Sequence, residues 1–128
     1  MRESDTPLKL GIIGAGIMGR NHARVASMQQ VIDLVGVYDP NPTVGSTVAS
    51  TYQTRYFQQI PALLEAVDAV VIASPTMTHH SIARDAIQLG KHCLIEKPIT
   101  VTTAEAEELI ALADAHQVTL QVGHIERY

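Results

Sequence analysis

The chain has no tryptophan, one phenylalanine and one cysteine among its 128 residues. With Phe57 and four tyrosines as its whole aromatic complement, it offers no stacking platform for single-stranded nucleic acid. Cys93 alone can form no internal disulfide, which fits a reducing compartment, and a cytoplasmic location is expected. Basic residues are the minority. Nine Lys and Arg against thirteen Asp and Glu leave a net charge of −4, so there is no electrostatic footprint for nucleic acid or an anionic membrane. No apolar run approaches the roughly 20 residues that span a bilayer. His79 and His80 are adjacent, the other four histidines are scattered, and no C-x-x-C or H-E-x-x-H spacing occurs, so no metal site is expected. Residues 1–7 begin polar, with Glu3 and Asp5; they read as a flexible tail and not as a secretory leader.

What remains is an ordinary mixed composition, 46% hydrophobic, enough for one domain with a full core over residues 8–128. Apolar, β-branched runs at 8–13, 31–38, 54–57, 69–73, 92–96 and 118–122 read as six strands. Helical patterns separate them, at 18–28, from the 39–42 turn to about 51, and at 60–65. Ile82, Ala86 and Leu89 then recur at helical spacing before Gly90, a C-terminal stop. Thr102 and Glu105 have the spacing of a capping box, leading a helix with a buried stripe of Ala106, Leu109, Ile110 and Ala113. Strands alternating with helices predict an α/β fold, a doubly wound parallel sheet of order 3-2-1-4-5-6, with ligands at the carboxyl ends of the strands.

The first strand runs into Gly14-Ala15-Gly16-Ile17-Met18-Gly19, and Asp39 closes the second. This is the dinucleotide-binding (Rossmann) fingerprint. Gly14 permits the tight turn, Gly16 lets a pyrophosphate approach the backbone, and Gly19 lets the helix pack closely on the strand. The N–H groups of Ile17, Met18 and Gly19 would face the phosphates, backed by the helix dipole. Asp39 would accept hydrogen bonds from the ribose hydroxyls and repel a 2′-phosphate. Pro40, Asn41 and Pro42 supply no cation to bind one, so the expected cofactor is NAD. The plainer alternative is that Asp39 only caps the next helix.

Two further segments are more specific: Ser74-Pro75-Thr76-Met77-Thr78-His79, and Gly90-Lys91-His92-Cys93-Leu94-Ile95-Glu96-Lys97-Pro98. They resemble the T-P-N-x-x-H and G-K-H-V-x-x-E-K-P motifs of the glucose–fructose oxidoreductase/inositol dehydrogenase (Gfo/Idh/MocA) family, and the resemblance runs from Leu8 to Tyr128. The closing Gly123-His124-Ile125-Glu126-Arg127-Tyr128 is similar to the family's G-H-x-E-R-F ending and is reminiscent of its nucleotide-sugar 3-dehydrogenases. The resemblance implies that Ser74, Pro75 and Thr76 line the cofactor path, with Thr76 in place of the usual asparagine. It implies that His79 holds that loop in shape, and that Glu96 and Lys97 lie beside the nicotinamide ribose. It further implies that Lys97 reaches the substrate hydroxyl, and that a cis peptide precedes Pro98. Family members continue into a second domain that binds substrate and forms oligomers; here it is expected to be missing, with a homo-oligomer as the full-length form.

Read from the residues alone, Lys97 stands at the end of a parallel strand, where ligands bind. Partly desolvated beside a cationic nicotinamide, its ammonium would give up a proton more readily and serve as a relay in alcohol oxidation. A salt bridge to Glu96, or a surface lysine before a turn, is the plainer reading. Cys93 reads as a small core residue, and Glu105, Glu107, Glu108 and Asp114 as a solvated helix face. His124 and Arg127 could face a substrate phosphate or carboxylate, or anchor the second domain. The expected function is the NAD-binding domain of an oxidoreductase that moves hydride between NAD and a secondary alcohol of a sugar, nucleotide-sugar or polyol. The alternative is a non-catalytic, redox-sensing or regulatory NAD module. A remnant that has lost its cofactor is disfavoured by the intact fingerprint.

Overall fold

In the computed structural model the described residues are 6–123, with the backbone of 126–127. Seven strands form one sheet in the order β3-β2-β1-β4-β5-β6-β7. β1 (Leu8–Ile13), β2 (Ile32–Tyr38), β3 (Arg55–Phe57), β4 (Ala69–Ile72), β5 (His92–Ile95) and β6 (Leu120–Val122) are all parallel, in the expected order. β7 (Glu126–Arg127) is an addition to that expectation and pairs antiparallel with β6. Between the strands run α1 (Ile17–Ser27), α2 (Pro42–Thr51), α3 (Ile60–Ala66), α4 (His79–Gln88) and α5 (Thr103–Ala115).

The helix boundaries follow from local chemistry. Pro42 opens α2, and the Asn41 side chain accepts from the N–H groups of Thr43 and Val44 at 3.0 and 3.2 Å. Asn41 therefore caps this helix, and Asp39 does not. Thr102 caps α5 as its spacing predicted, accepting from the Glu105 N–H at 3.2 Å. Gly90, at φ +79°, ends α4 with its N–H on the Ile87 carbonyl, a turn that glycine adopts without steric cost.

Two cores sandwich the sheet. α3, α4 and α5 cover one face over Ile13, Leu63, Ile72, Ile87, Ile95, Leu109 and Leu120. α1 and α2 cover the other over Ile12, Ala23, Val37, Val48 and Val71. On this second face a cavity of about 310 Å³ opens beside α1, lined by Leu8, Val25, Val71 and Leu94 among others. The expected stripe of α4 needs correction. Leu89 is 55% exposed at the helix end, and the buried residues are Ala83, Ala86 and Ile87. Leu89 lies just past Gln88, where the helix ends, while Ile82 packs against the core beside Ala83, Ala86 and Ile87. In α5, Leu109 and Ala113 are buried while Ala106 and Ile110 are only half-covered.

Cys93 is a core residue, 3% exposed, as the strand pattern implied. Burial pushes its thiol from an ordinary 9.0 up to about 12, because a thiolate there would be desolvated. The unfolded thiol ionises near pH 9 while the native one keeps its proton. The associated stability is thus complete below pH 9 and is lost as pH rises from 9 towards 12. At pH 10 this amounts to about 1 kcal/mol. Urea unfolding at pH 8 and pH 10 should show that loss, and Cys93→Ala should show correspondingly less.

Candidate functional site

The parallel registers align the strand ends. Ile13 pairs with Tyr38 and with Ile72, Ile72 with Ile95, and Ile95 with Val122. The residues following these strands therefore emerge along one carboxyl edge, centred on β1 and β4 where the strand order reverses. From the end of β2 to the end of β5 is three strand spacings, about 14 Å, a length suited to an extended ligand.

At the centre lies the glycine turn, whose three glycines meet different surroundings. Gly14 has φ +99°, and a Cβ there would come 2.6 Å from the Ser74 nitrogen. A Cβ on Gly19 would fall on the Gly14 carbonyl oxygen. Both are required by the fold itself. Around Gly16 a Cβ would meet nothing within 4 Å, so its lack of a side chain serves nothing inside the protein. It leaves open space directly above the first turn of α1. The first helical hydrogen bond runs from the Arg20 N–H to the Gly16 carbonyl, so the N–H groups of Ile17, Met18 and Gly19 precede it. An open cradle beside a helix N-terminus fits the pyrophosphate of a dinucleotide.

Asp39, half-buried at the end of β2, holds this turn together. Its Oδ2 accepts from the Ala15 N–H at 2.8 Å and its Oδ1 from the Asn41 N–H at 2.9 Å. Each oxygen keeps a second lone pair, so ribose hydroxyls could still be received. Tyr56 donates its hydroxyl to the Asp39 carbonyl at 2.9 Å, fixing the same residue from β3.

The loop after β4 begins beside the turn, with the Ala73 N–H on the Ile13 carbonyl at 2.8 Å. Ser74 shares a 2.7 Å hydroxyl–hydroxyl hydrogen bond with Thr78, whose own hydroxyl lies 2.6 Å from the Pro75 carbonyl oxygen. Pro75 is exposed and half-buried Thr76 opens a short 3-10 turn, Thr76–Thr78. His79, only 1% exposed, joins this loop to the segment after β5. Its Nε2 lies 2.7 Å from the Ser74 carbonyl oxygen, and its Nδ1 lies 3.1 and 3.0 Å from those of Pro98 and Ile99. The side chain expected to shape one loop thus links two.

Glu96 donates its N–H to the Ile72 carbonyl at 3.0 Å, and the Lys97–Pro98 peptide is cis. The exposed Lys97 passes its stem beside Gly123; a Cβ on that glycine would lie 3.1 Å from the lysine Cε. The Glu96 carboxylate meets the Nε2 of His22, on the second turn of α1. This partner escaped the sequence reading, which set His22 among the scattered histidines. The two residues are 74 apart in the chain and no local pattern marks the histidine. Thr78, which braces Ser74, was also missed, although its place inside the motif was a usable signal.

His124, Ile125 and Tyr128 lie outside the described residues, as do the side chains of Glu126 and Arg127. The two readings offered for His124 and Arg127 therefore stay where the sequence left them. Among the described residues no group of three or more His, Cys, Asp or Glu could hold a metal ion. None of the described helices is long and apolar enough to cross a membrane.

The contrast among the glycines has a direct test. Gly16→Val should fold with a melting temperature close to that of the unaltered chain, since its side chain enters empty space. Gly19→Ala should fail to fold or melt far lower, because its methyl displaces the Gly14 carbonyl. Circular-dichroism melts of both variants check the assignment.

Known proteins share this arrangement. The model of an oxidoreductase family with an NAD-binding Rossmann fold, Gfo/Idh/MocA, matches residues 8–124. A UDP-N-acetylglucosamine 3-dehydrogenase of Acidithiobacillus ferrooxidans is 45% identical over 121 residues, which cover 94% of this chain and 38% of that protein. A glucose-6-phosphate 3-dehydrogenase of Bacillus subtilis is 34% identical, over 94% of this chain and 34% of its own length. Among solved structures, GenD2 from gentamicin A biosynthesis in complex with NAD superposes with a TM-score of 0.90 at 32% identity, covering 95% of this chain and 36% of that one. The chain thus spans between a third and two-fifths of the length of these relatives. Its fold, its glycine turn and its match along nearly the whole sequence place it in the Gfo/Idh/MocA family, as an NAD-binding Rossmann domain.

Proposed function

We propose that the chain is the cofactor-holding part of an enzyme that transfers hydride between NAD and a secondary alcohol of a sugar, nucleotide-sugar or polyol. The observation that carries this reading is the alignment of the glycine turn, Asp39, and the Glu96-Lys97-Pro98 segment along one edge of the sheet. A module that only sensed NAD would need the first two and not a lysine at the strand end. The names of the relatives support the substrate class, two of them being a UDP-N-acetylglucosamine 3-dehydrogenase and a glucose-6-phosphate 3-dehydrogenase. Those relatives are longer, this chain spanning 38% and 34% of their length.

The residues divide the work along the edge. Bound NAD supplies the hydride acceptor for the carbinol carbon. The N–H groups of Ile17, Met18 and Gly19 would hold the pyrophosphate, and Asp39 would receive the ribose diol of the adenosine half. Ser74, Pro75 and Thr76 would border the cofactor path towards Glu96, which would hold the second ribose. Lys97, as the neutral amine, would take the hydroxyl proton of the alcohol at Nζ and become the ammonium. His79 holds the loops on either side of that path at a fixed separation.

Two measurements test this division. In the full-length enzyme, Lys97→Ala should lower kcat by roughly 10²–10⁴-fold, the usual effect of removing a positioned acid–base group, with NAD affinity changed less than about threefold. Normal kcat in that variant would return the chain to the class of non-catalytic NAD modules. In this chain, calorimetric titration should show NAD bound well ahead of NADP. Asp39→Ala should narrow the gap by about tenfold or more, because it removes both a charge-assisted hydrogen bond and the repulsion of a 2′-phosphate.

A further inference from the structure

The glycine turn and the Glu96-Lys97-Pro98 segment belong to distant parts of the chain, yet one side-chain contact joins them. His22 projects from α1, the helix that opens on the turn, and its Nε2 meets the Glu96 carboxylate. Both side chains are largely withdrawn from water, at 13% and 16% exposure. A carboxylate this covered needs a donor close by, and Nε2–H provides one whether the ring is neutral in that tautomer or protonated. α1 itself is held tightly against β1, since Gly19 rests on the Gly14 carbonyl. The histidine therefore extends from a rigid element, and the carboxylate it meets is one residue before Lys97.

We infer that His22 is a positioning residue that fixes the Glu96 carboxylate, so that the helix carrying the phosphate turn also sets the nicotinamide end of the site. This inference rests on the placement of Glu96 beside the second ribose proposed above. In this arrangement His22 acts through Glu96. Its loss leaves the glycine cradle and Asp39 intact and releases a carboxylate at the far end. The energetic effect is confined to the nicotinamide half of the ligand.

The two halves can be read separately in this chain by calorimetric titration with NAD and with ADP, which lacks the second ribose and the nicotinamide. His22→Leu should weaken NAD by about tenfold, the scale of one lost hydrogen bond to a charged group, while ADP affinity stays within twofold. His22→Gln, which keeps a donor, should recover most of that loss. The double variant His22→Leu/Glu96→Gln should bind NAD no worse than Glu96→Gln alone, since the histidine acts through the acid. Equal weakening of NAD and ADP, or no weakening of either, would overturn the inference and leave His22 as a packing residue or a bystander. If Glu96→Gln weakens NAD and His22→Leu does not, the inference fails while the placement of Glu96 stands. If Glu96→Gln has no effect on NAD, that placement fails first, and the role of His22 falls with it.

Discussion

The close approach of α1 to β1 is the constraint on which the rest of the site depends. Gly19 lies so near the Gly14 carbonyl that no side chain fits between them, and this contact fixes the distance and rotation of the helix. From that one docking follow the direction of the helix N-terminus, the empty space above Gly16, and the point at which His22 reaches across to Glu96. A helix standing an ångström or two further out would still be a helix. It would no longer present its free N–H groups and its histidine to the same edge of the sheet.

The second organising element is buried His79. By reaching carbonyl oxygens of Ser74, Pro98 and Ile99, it ties together loops that the backbone ladder leaves independent. Loops at the carboxyl ends of parallel strands have no sheet partner of their own, so side chains must supply their geometry. Ser74 and Thr78 do this within one loop, and His79 between two. The polar residues of these motifs are thus largely occupied with each other and with the backbone. What the arrangement leaves for a ligand is the surface they shape: exposed Pro75, half-buried Thr76 and the outer lone pairs of Asp39.

Asp39 shows how a carboxylate can brace a turn and still keep acceptor sites. Sequence logic offers a choice between a ribose acceptor and a helix cap. The structure assigns the cap to Asn41 and gives Asp39 the N–H groups of Ala15 and Asn41 to hold. A carboxylate has enough acceptor sites for both backbone donors and a diol, which is why a single acid can brace the turn and face outward. Tyr56, from β3, anchors the same residue through its carbonyl.

The sequence by itself determined the six parallel strands, their order and the glycine turn, because apolar runs, their alternation with helices and turn chemistry are written in it; β7 was not legible. The cap at Thr102 and the stop at Gly90 were legible for the same reason. Leu89 falls outside the buried face because α4 ends at Gln88, one residue before it, a boundary that helical spacing alone does not give. The pairing of His22 with Glu96 and the reach of His79 to Pro98 and Ile99 could not be read at all. They join residues whose nearness is created by the register of β1, β4 and β5 and by the docking of α1 and α4, and only the assembled sheet brings those side chains within hydrogen-bonding distance.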